Sequence, residues 1–331
     1  MAEFMKPMLQ NIIARTSRGF VLAFHDIEPQ PMERLLDALY PIQPIHLSEL
    51  VHRSKAGKST MGLCAITVDD GVARTVATTT ELCRRRAWPV TFFLPTGNLD
   101  TGNGIAYQWW RQVLPFIPAR RLELPSGSFD FSQPRILADL TAKFERLWHS
   151  APLEVYRPFT MEIVEAVARE SGVSMERLLP SPPVSWETVA ELSKDDLFRF
   201  ESHGVSHVAM SALSDDVLAL ELKRSRDTIS EHTCRPCRHL AYPFGSSMSI
   251  GTVAPALAQT FYDSAVTMDL GHVDAANPWL LPRIPLYAQN SSSVARLKVV
   301  LKCSRLAGFR ARHELDPETS SRPEEYVSPS R

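Results

Sequence analysis

The sequence predicts a parallel α/β fold, on three observations. Short apolar runs of strand character alternate with longer runs of helical character along most of the 331 residues. Several of the apolar runs stop at Asp, His or a Pro–Gly turn, the place where α/β folds carry their chemistry. The composition is that of a globular domain, with 44% hydrophobic residues, 22% charged residues and a formal net charge of −1.

Taken in order, residues 1–18 read as an N-terminal extension. Residues 19–25 (GFVLAFH), 61–68 (MGLCAITV), 88–94 (WPVTFFL), 198–201 and 238–242 (RHLAY) read as strands, being short, apolar and rich in aromatic or β-branched residues. Residues 32–39, 72–86, 187–194 and 215–231 read as the helices between them, and Ser214 stands where a cap for the last is needed. The long stretch 97–185 contains helix-like pieces at 133–148 and 160–170 and reads as an insertion bordering the site, within a single domain over 19–313.

Residues 293–312 place Val294, Leu297, Leu301, Leu306 and Phe309 at roughly helical spacing beside Arg296, Lys298, Lys302, Arg305, Arg310 and Arg312, with no acid. This is a basic amphipathic helix. It serves either as the last helix of the fold with a solvated basic face or as a weak contact with anionic lipid heads. Residues 314–331, rich in Pro, Ser and acids, read as a disordered tail.

Balanced charge removes the field that draws proteins to nucleic-acid backbones, so no nucleic-acid partner is expected. No uninterrupted apolar stretch approaches the roughly 18 residues that span a bilayer. The opening residues lack an apolar core followed by a small-residue cleavage site, which makes the cytoplasm the expected compartment. Five scattered cysteines do not form a secreted disulfide framework, and reduced thiols are expected.

Four polar clusters carry the candidate chemistry. In AITVDDGVA, Asp69 and Asp70 follow a strand, and adjacent side chains leaving a strand point apart, so one can ligate a metal while the other stays free as a base. Asp-Asp-Gly is also a common turn sequence. In ESHGVSHVAM, His203 and His207 stand four apart, which brings both imidazoles to one face if the segment is helical. With 10 histidines in the chain, chance alone gives about 0.3 such pairs, so the spacing by itself is weak. Two His and one carboxylate would leave an open position for water, the pattern of a catalytic metal site. The other clusters are LAYPFG, where Pro243 and Gly245 fix an exposed turn, and VLAFHDI, where His25 closes the first strand.

In this order the motifs resemble those of the polysaccharide deacetylase family (NodB homology, carbohydrate esterase family 4). TVDDG matches its TFDDG motif, HGVSH its H-[ST]-x-x-H motif with Gly204 where Ser or Thr is usual, and AYPFG the YPYG form of its third motif. The resemblance implies a distorted (β/α)7 barrel that removes acetyl groups from N-acetylated sugars with a bound divalent metal, commonly zinc. Carried over, Asp70, His203 and His207 would ligate the metal, Asp69 would be the general base, and Phe244 would offer its backbone N–H to an oxyanion. Two His, a carboxylate and water also suit Co2+, Ni2+ or Fe2+.

The sequence departs from the family pattern in two places. The usual third-motif Arg falls at Ala241, and no Leu-x-His motif supplies the general acid near the C-terminus. FHDI is similar to the segment that carries this histidine near the N-terminus in poly-N-acetylglucosamine deacetylases, which makes His25 the general-acid candidate ahead of His272. Arg283 in LPRIPL either pairs with Asp69 in place of the missing Arg or is a surface cation.

Tyr242, Trp110 and Trp186 are candidate substrate contacts, with core packing an equal reading for the tryptophans, Trp109 included. Two rival functions remain. One is a non-catalytic carbohydrate-binding relative of the deacetylases. The other is thiol redox chemistry at Cys234-Arg-Pro-Cys237, which would need a lowered thiol pKa.

Overall fold

The computed structural model describes residues 15, 17–118, 120–274 and 276–303. Most of the expected extension 1–18, all of the expected tail 314–331 and residues 304–312 of the basic segment lie outside the described residues. Seven parallel strands build the fold: β1 (Phe20–Phe24), β3 (Leu63–Val68), β4 (Val90–Leu94), β7 (Phe198–Ser202), β8 (His239–Ala241), β9 (Ser264–Val266) and β10 (Arg283–Pro285). Their spatial order is β10-β1-β3-β4-β7-β8-β9. A parallel bridge between Val266 and Leu281, just ahead of β10, carries the sheet round into a nearly closed barrel. The two-residue β2 (Gln43–Pro44) adds to the start of β3. The strands β5 (Arg121–Leu124) and β6 (Gly127–Asp130) make a separate antiparallel hairpin.

The central strands are buried on both faces, which is why they read as continuous apolar runs. Alternation sorts their side chains. Phe20, Leu22 and Phe24 of β1, with Ile66 and Val68 of β3, pack outward under the helices. Val21, Ala65, Phe93 and Ala241 turn inward to a smaller cluster with Leu47, Leu50 and Val51. Those last three belong to helix α2 (Leu47–Lys55), which follows α1 (Pro29–Asp37). After β3 comes α3 (Ala73–Arg86), where the pattern predicts 72–86.

Between β4 and β7 lie α4 (Thr96–Thr101), α5 (Ala106–Val113), the β5–β6 hairpin, α6 (Pro134–Ser150), α7 (Leu153–Ser171), α8 (Met175–Leu178) and α9 (Trp186–Leu192). Residues from α5 to α8 enclose a second core of their own, built on Trp109, Trp110, Leu122, Phe144, Trp148, Ile163 and Val167. The Trp110 and Phe144 rings stack at 4.7 Å between centroids. This lobe stands over one side of the barrel mouth.

Helix α10 (Asp215–Thr233) follows β7, with Asp215 and Asp216 complementing the dipole at its start. The chain then passes through α11 (Ser247–Ile250) and α12 (Ala254–Phe261), and α13 (Ser292–Cys303) covers the first part of the expected basic segment. Its Leu297 and Leu301 are exposed, while Arg296 donates to Ala38 O and Lys298 to Pro285 O. No helix among the described residues is long and apolar enough to cross a membrane.

Candidate active site

The C-terminal ends of β1, β3, β7 and β8 converge on one cavity of about 500 Å3, whose lining includes His25, Asp69, Asp70, His203, His207, Tyr242, Phe244 and Arg283. Asp69 and Asp70 leave β3 through a left-handed turn, with φ +75 at Asp70 and +64 at Gly71. Gly71 is required there, since a Cβ would lie 2.7 Å from the Leu94 side chain. The turn sends the two carboxylates different ways.

Asp69 meets Arg283, whose Nη1 and Nη2 donate to its two oxygens at 2.7 Å each. This is the two-pronged geometry that makes Arg–carboxylate bonds strong. Arg283 is fully buried, and it also donates through Nε to Thr267 O at 2.9 Å and through Nη1 to Thr67 Oγ1 at 3.2 Å. The sequence left open a surface-cation reading of Arg283, and burial removes it. Burial by itself would raise the Asp69 pKa, but the charge and hydrogen bonds of Arg283 with the nearby histidines outweigh it, and the carboxyl is held below its usual range.

Asp70 faces the histidine pair. Its Oδ1 lies 3.7 Å from His203 Nε2 and 3.5 Å from His207 Nε2, and one ligand atom from each residue falls within 4.8 Å of the others. All three residues are buried. His203 N continues the sheet ladder by donating to Leu94 O at 2.9 Å, which ties the ligand to the end of β4. His203 Nδ1 lies 2.7 Å from Ala241 O, and because a carbonyl only accepts, Nδ1 carries the proton and Nε2 keeps its lone pair toward Asp70. Burial pushes the His203 pKa down to about 4, so the ring is neutral near pH 7.

The residues fit a metal. Three acceptor atoms converge, and the 3.5 and 3.7 Å separations are close to the roughly 3.4 Å edge of a tetrahedron with bonds of about 2.1 Å. The histidine pair does not share a helix face, as its spacing had suggested. Residues 203–207 form a loop with φ +77 at Gly204 and +53 at His207, and this turn, not helical periodicity, brings the two rings to 4.9 Å between centroids.

His25 Nε2 lies 3.6 Å from Asp69 Oδ2, and its Nδ1 is buried without a partner. Phe244 sits at φ +61 in the turn after β8, with its ring stacked 3.9 Å from that of His149 and edge-on to His207 at 5.1 Å. Tyr242 is buried in the cavity wall, and its hydroxyl donates to Trp279 O at 3.0 Å.

Two expected substrate contacts lie elsewhere. Trp110 is buried in the lobe core beside Trp109, because the inner face of α5 is what that core needs. Trp186 opens α9 outside the cavity, stacks on His232 and donates its indole N–H to Asp100. The wall is instead built by Arg111, Glu145, Trp148 and His149 of the lobe and by Leu286, Tyr287, Ala288 and Gln289. His272 accepts from Arg18 at 2.7 Å and lines a different cleft with Lys58. Cys237 is buried with its thiol pKa pushed up, the reverse of what redox chemistry requires, while Cys234 is exposed.

The polysaccharide deacetylase family profile matches residues 56–260. No curated protein matches the sequence. Among solved structures, the fold resembles the Streptococcus pyogenes deacetylase PplD in complex with acetate, at TM-score 0.57 and 13% identity, covering 86% of this chain and 99% of that one. It is also similar to IcaB from Ammonifex degensii (TM-score 0.52, 13% identity, 86% and 98% covered). A third likeness is to a de-N-acetylase from Aggregatibacter actinomycetemcomitans (TM-score 0.51, 12% identity, 85% and 99% covered). At such identities these structures speak to the fold alone, whereas the family match spans more than half of the sequence: the chain belongs to the polysaccharide deacetylase family, hydrolases that act on the amide C–N bond of an N-acetyl group.

Proposed function

We propose that this chain removes an N-acetyl group from an amino sugar of a glycan or glycan precursor, with a divalent metal, zinc first among the candidates, held by Asp70, His203 and His207. The convergence of those three ligands beside the Asp69–Arg283 pair carries the reading. A metal bound there supplies a Lewis acid and a water whose pKa is lowered toward about 7.

The chain's own groups do the rest. Asp69, ionised and oriented by Arg283, takes the proton from the attacking water. The backbone N–H of Phe244, in the left-handed turn that lines the cavity, is the donor assigned to the oxygen on which charge develops. His25, across from Asp69 at the end of β1, gives a proton to the departing amine so that it leaves neutral. His25 thereby fills the role that the N-terminal histidine holds in one branch of the family.

The test compares the parent with an Asp70→Ala/His203→Ala/His207→Ala variant, by metal analysis and by acetate released from N-acetylglucosamine oligosaccharides. About one metal per chain and acetate release in the parent, with neither in the variant, is the expected result. A parent that holds no metal after Zn2+ is supplied overturns the reading.

A further inference from the structure

Helix α10 presents one face to the loop that carries the two histidines. The Glu221 carboxylate, through Oε1 alone, accepts from Val205 N at 2.8 Å, Ser206 N at 2.6 Å and Ser206 Oγ at 2.8 Å. Four residues along the same face, Ser225 Oγ lies 2.8 Å from Ser202 Oγ, and Ser202 Oγ accepts from Gly204 N at 3.1 Å. Ser225 is anchored in turn to Glu221 O at 2.9 Å and lies 3.1 Å from the Tyr262 hydroxyl.

Three successive backbone N–H groups, those of residues 204, 205 and 206, are therefore satisfied by side chains rather than by a ladder. Successive amides aimed to one side form an anion-binding concavity, and here the anion is the protein's own Glu221. Such a backbone has a cost. His207 stands at φ +53, a conformation of about 1 kcal/mol or more for a residue with a Cβ, and it persists only where its surroundings impose it. The same bracket accounts for glycine at 204, where the family motif has Ser or Thr. The backbone there has φ +77, and a Cβ would come within 3.1 Å of Glu221 Oε1.

We propose that Glu221 is a positioning residue for the metal site, its carboxylate holding residues 203–207 so that His207 Nε2 stays converged with His203 and Asp70. The inference rests on the metal reading above. It assigns no contact between Glu221 and metal or substrate. With the carboxylate removed, two backbone N–H groups lose their acceptor, the loop relaxes, and the third ligand is no longer preset.

The experiment measures Zn2+ affinity of the full chain by competition with a chromophoric chelator, together with the d–d spectrum of the Co2+-loaded protein, which reports coordination geometry without turnover. Glu221→Ala is expected to weaken Zn2+ binding about 10- to 100-fold, the usual effect of losing a group that orients a ligand, and to alter the Co2+ spectrum while the circular dichroism stays that of the parent. Glu221→Gln, which keeps an accepting oxygen, is expected to recover most of the affinity. Asp227→Ala, which breaks only the pairs with Lys223 and Arg226 on the same helix, is expected to change neither readout.

A folded Glu221→Ala protein with the parent's Zn2+ affinity and Co2+ spectrum overturns the proposal. Should Glu221→Ala fail to fold, Ser206→Ala decides: a loss of severalfold in Zn2+ affinity supports the bracket, and parental affinity overturns it. A parent that binds no Zn2+ strikes the metal reading itself. A parent that binds it no more tightly than the folded Glu221→Ala protein strikes only the role of Glu221.

Discussion

The barrel and the lobe above it are packed from the same kinds of residue but differ in what those residues hold still. In the barrel, the outward cluster around Phe20, Phe92 and Phe198 and the inward cluster around Val21, Ala65 and Phe93 clamp each strand from both sides. At its mouth the Asp69–Arg283 ion pair and the neutral His203 are buried and tied by two-pronged and backbone hydrogen bonds respectively. In the lobe, one aromatic core joins four helices and a hairpin, and the charged residues it sends to the cavity, Arg111 and Glu145, stay exposed. The contrast separates the groups fixed on strand ends from the shape of the cavity wall above them, which rests on a core of its own.

The sharpest cut at the barrel side is Asp69→Asn. We expect kcat to fall about 100- to 10,000-fold, the range of a general base, with metal content retained. Turnover near the parent's would show that Asp69 is not the base. On the lobe side, Phe144→Ala opens the aromatic core at a cost of about 3–5 kcal/mol. Hydrogen exchange should rise in α6 and α7 while the strands stay protected and Zn2+ remains bound. Loss of the metal along with the lobe would break the comparison, since the two would then unfold as one unit. A link exists for such coupling, because Ala209 N, two residues beyond His207, donates to His149 O.

Acid gives a finer discrimination. His239, buried in the barrel wall, has its pKa pushed down to about 4 by desolvation. Between about 6.5 and 4 the unfolded chain takes up a proton that the folded one refuses, so stability is intact above pH 6.5 and falls with pH below it, the loss reaching about 3 kcal/mol near pH 4. Among the described lobe residues no buried group carries a comparable shift. Chemical denaturation at a series of pH values should show His239→Gln with a shallower acid slope than the parent, and an unchanged slope would exclude His239 as the source.

Much of the barrel was legible because parallel strands buried on both faces leave unbroken apolar runs, so 19–25, 61–68, 88–94, 198–201 and 238–242 fall on β1, β3, β4, β7 and β8. β2, β9 and β10, of two or three residues each, were not legible, whereas the equally short β8 was marked by the LAYPFG turn that follows it. The residues that the structure brings together at the cavity, Asp69, Asp70, His203 and His207, were legible as polar punctuation after strands. The route by which His203 and His207 meet was not, since four-residue spacing reads as helix and only Gly204 hints at a left-handed loop. Adjacent tryptophans suggest a sugar platform, yet Trp109 and Trp110 serve the lobe core, while Trp148 sits at the cavity in a helix that shows no sequence mark of it. Glu221 looks like any exposed helical glutamate until the loop it brackets is seen.

The convergence of Asp70, His203 and His207 is also a record of how the chain must come together. Asp70 and His203 follow β3 and β7, strands that are neighbours of β4 rather than of each other, and all of the lobe is strung between β4 and β7. Closing so long a loop adds little entropy per extra residue, but contacts of such sequence separation form late. The first half of the chain therefore carries only one of the three candidate ligands, and a nascent or truncated polypeptide could not assemble the set. A metal held by these residues would therefore act as a proofreader of topology, stabilising by mass action only those molecules whose strands have closed in order.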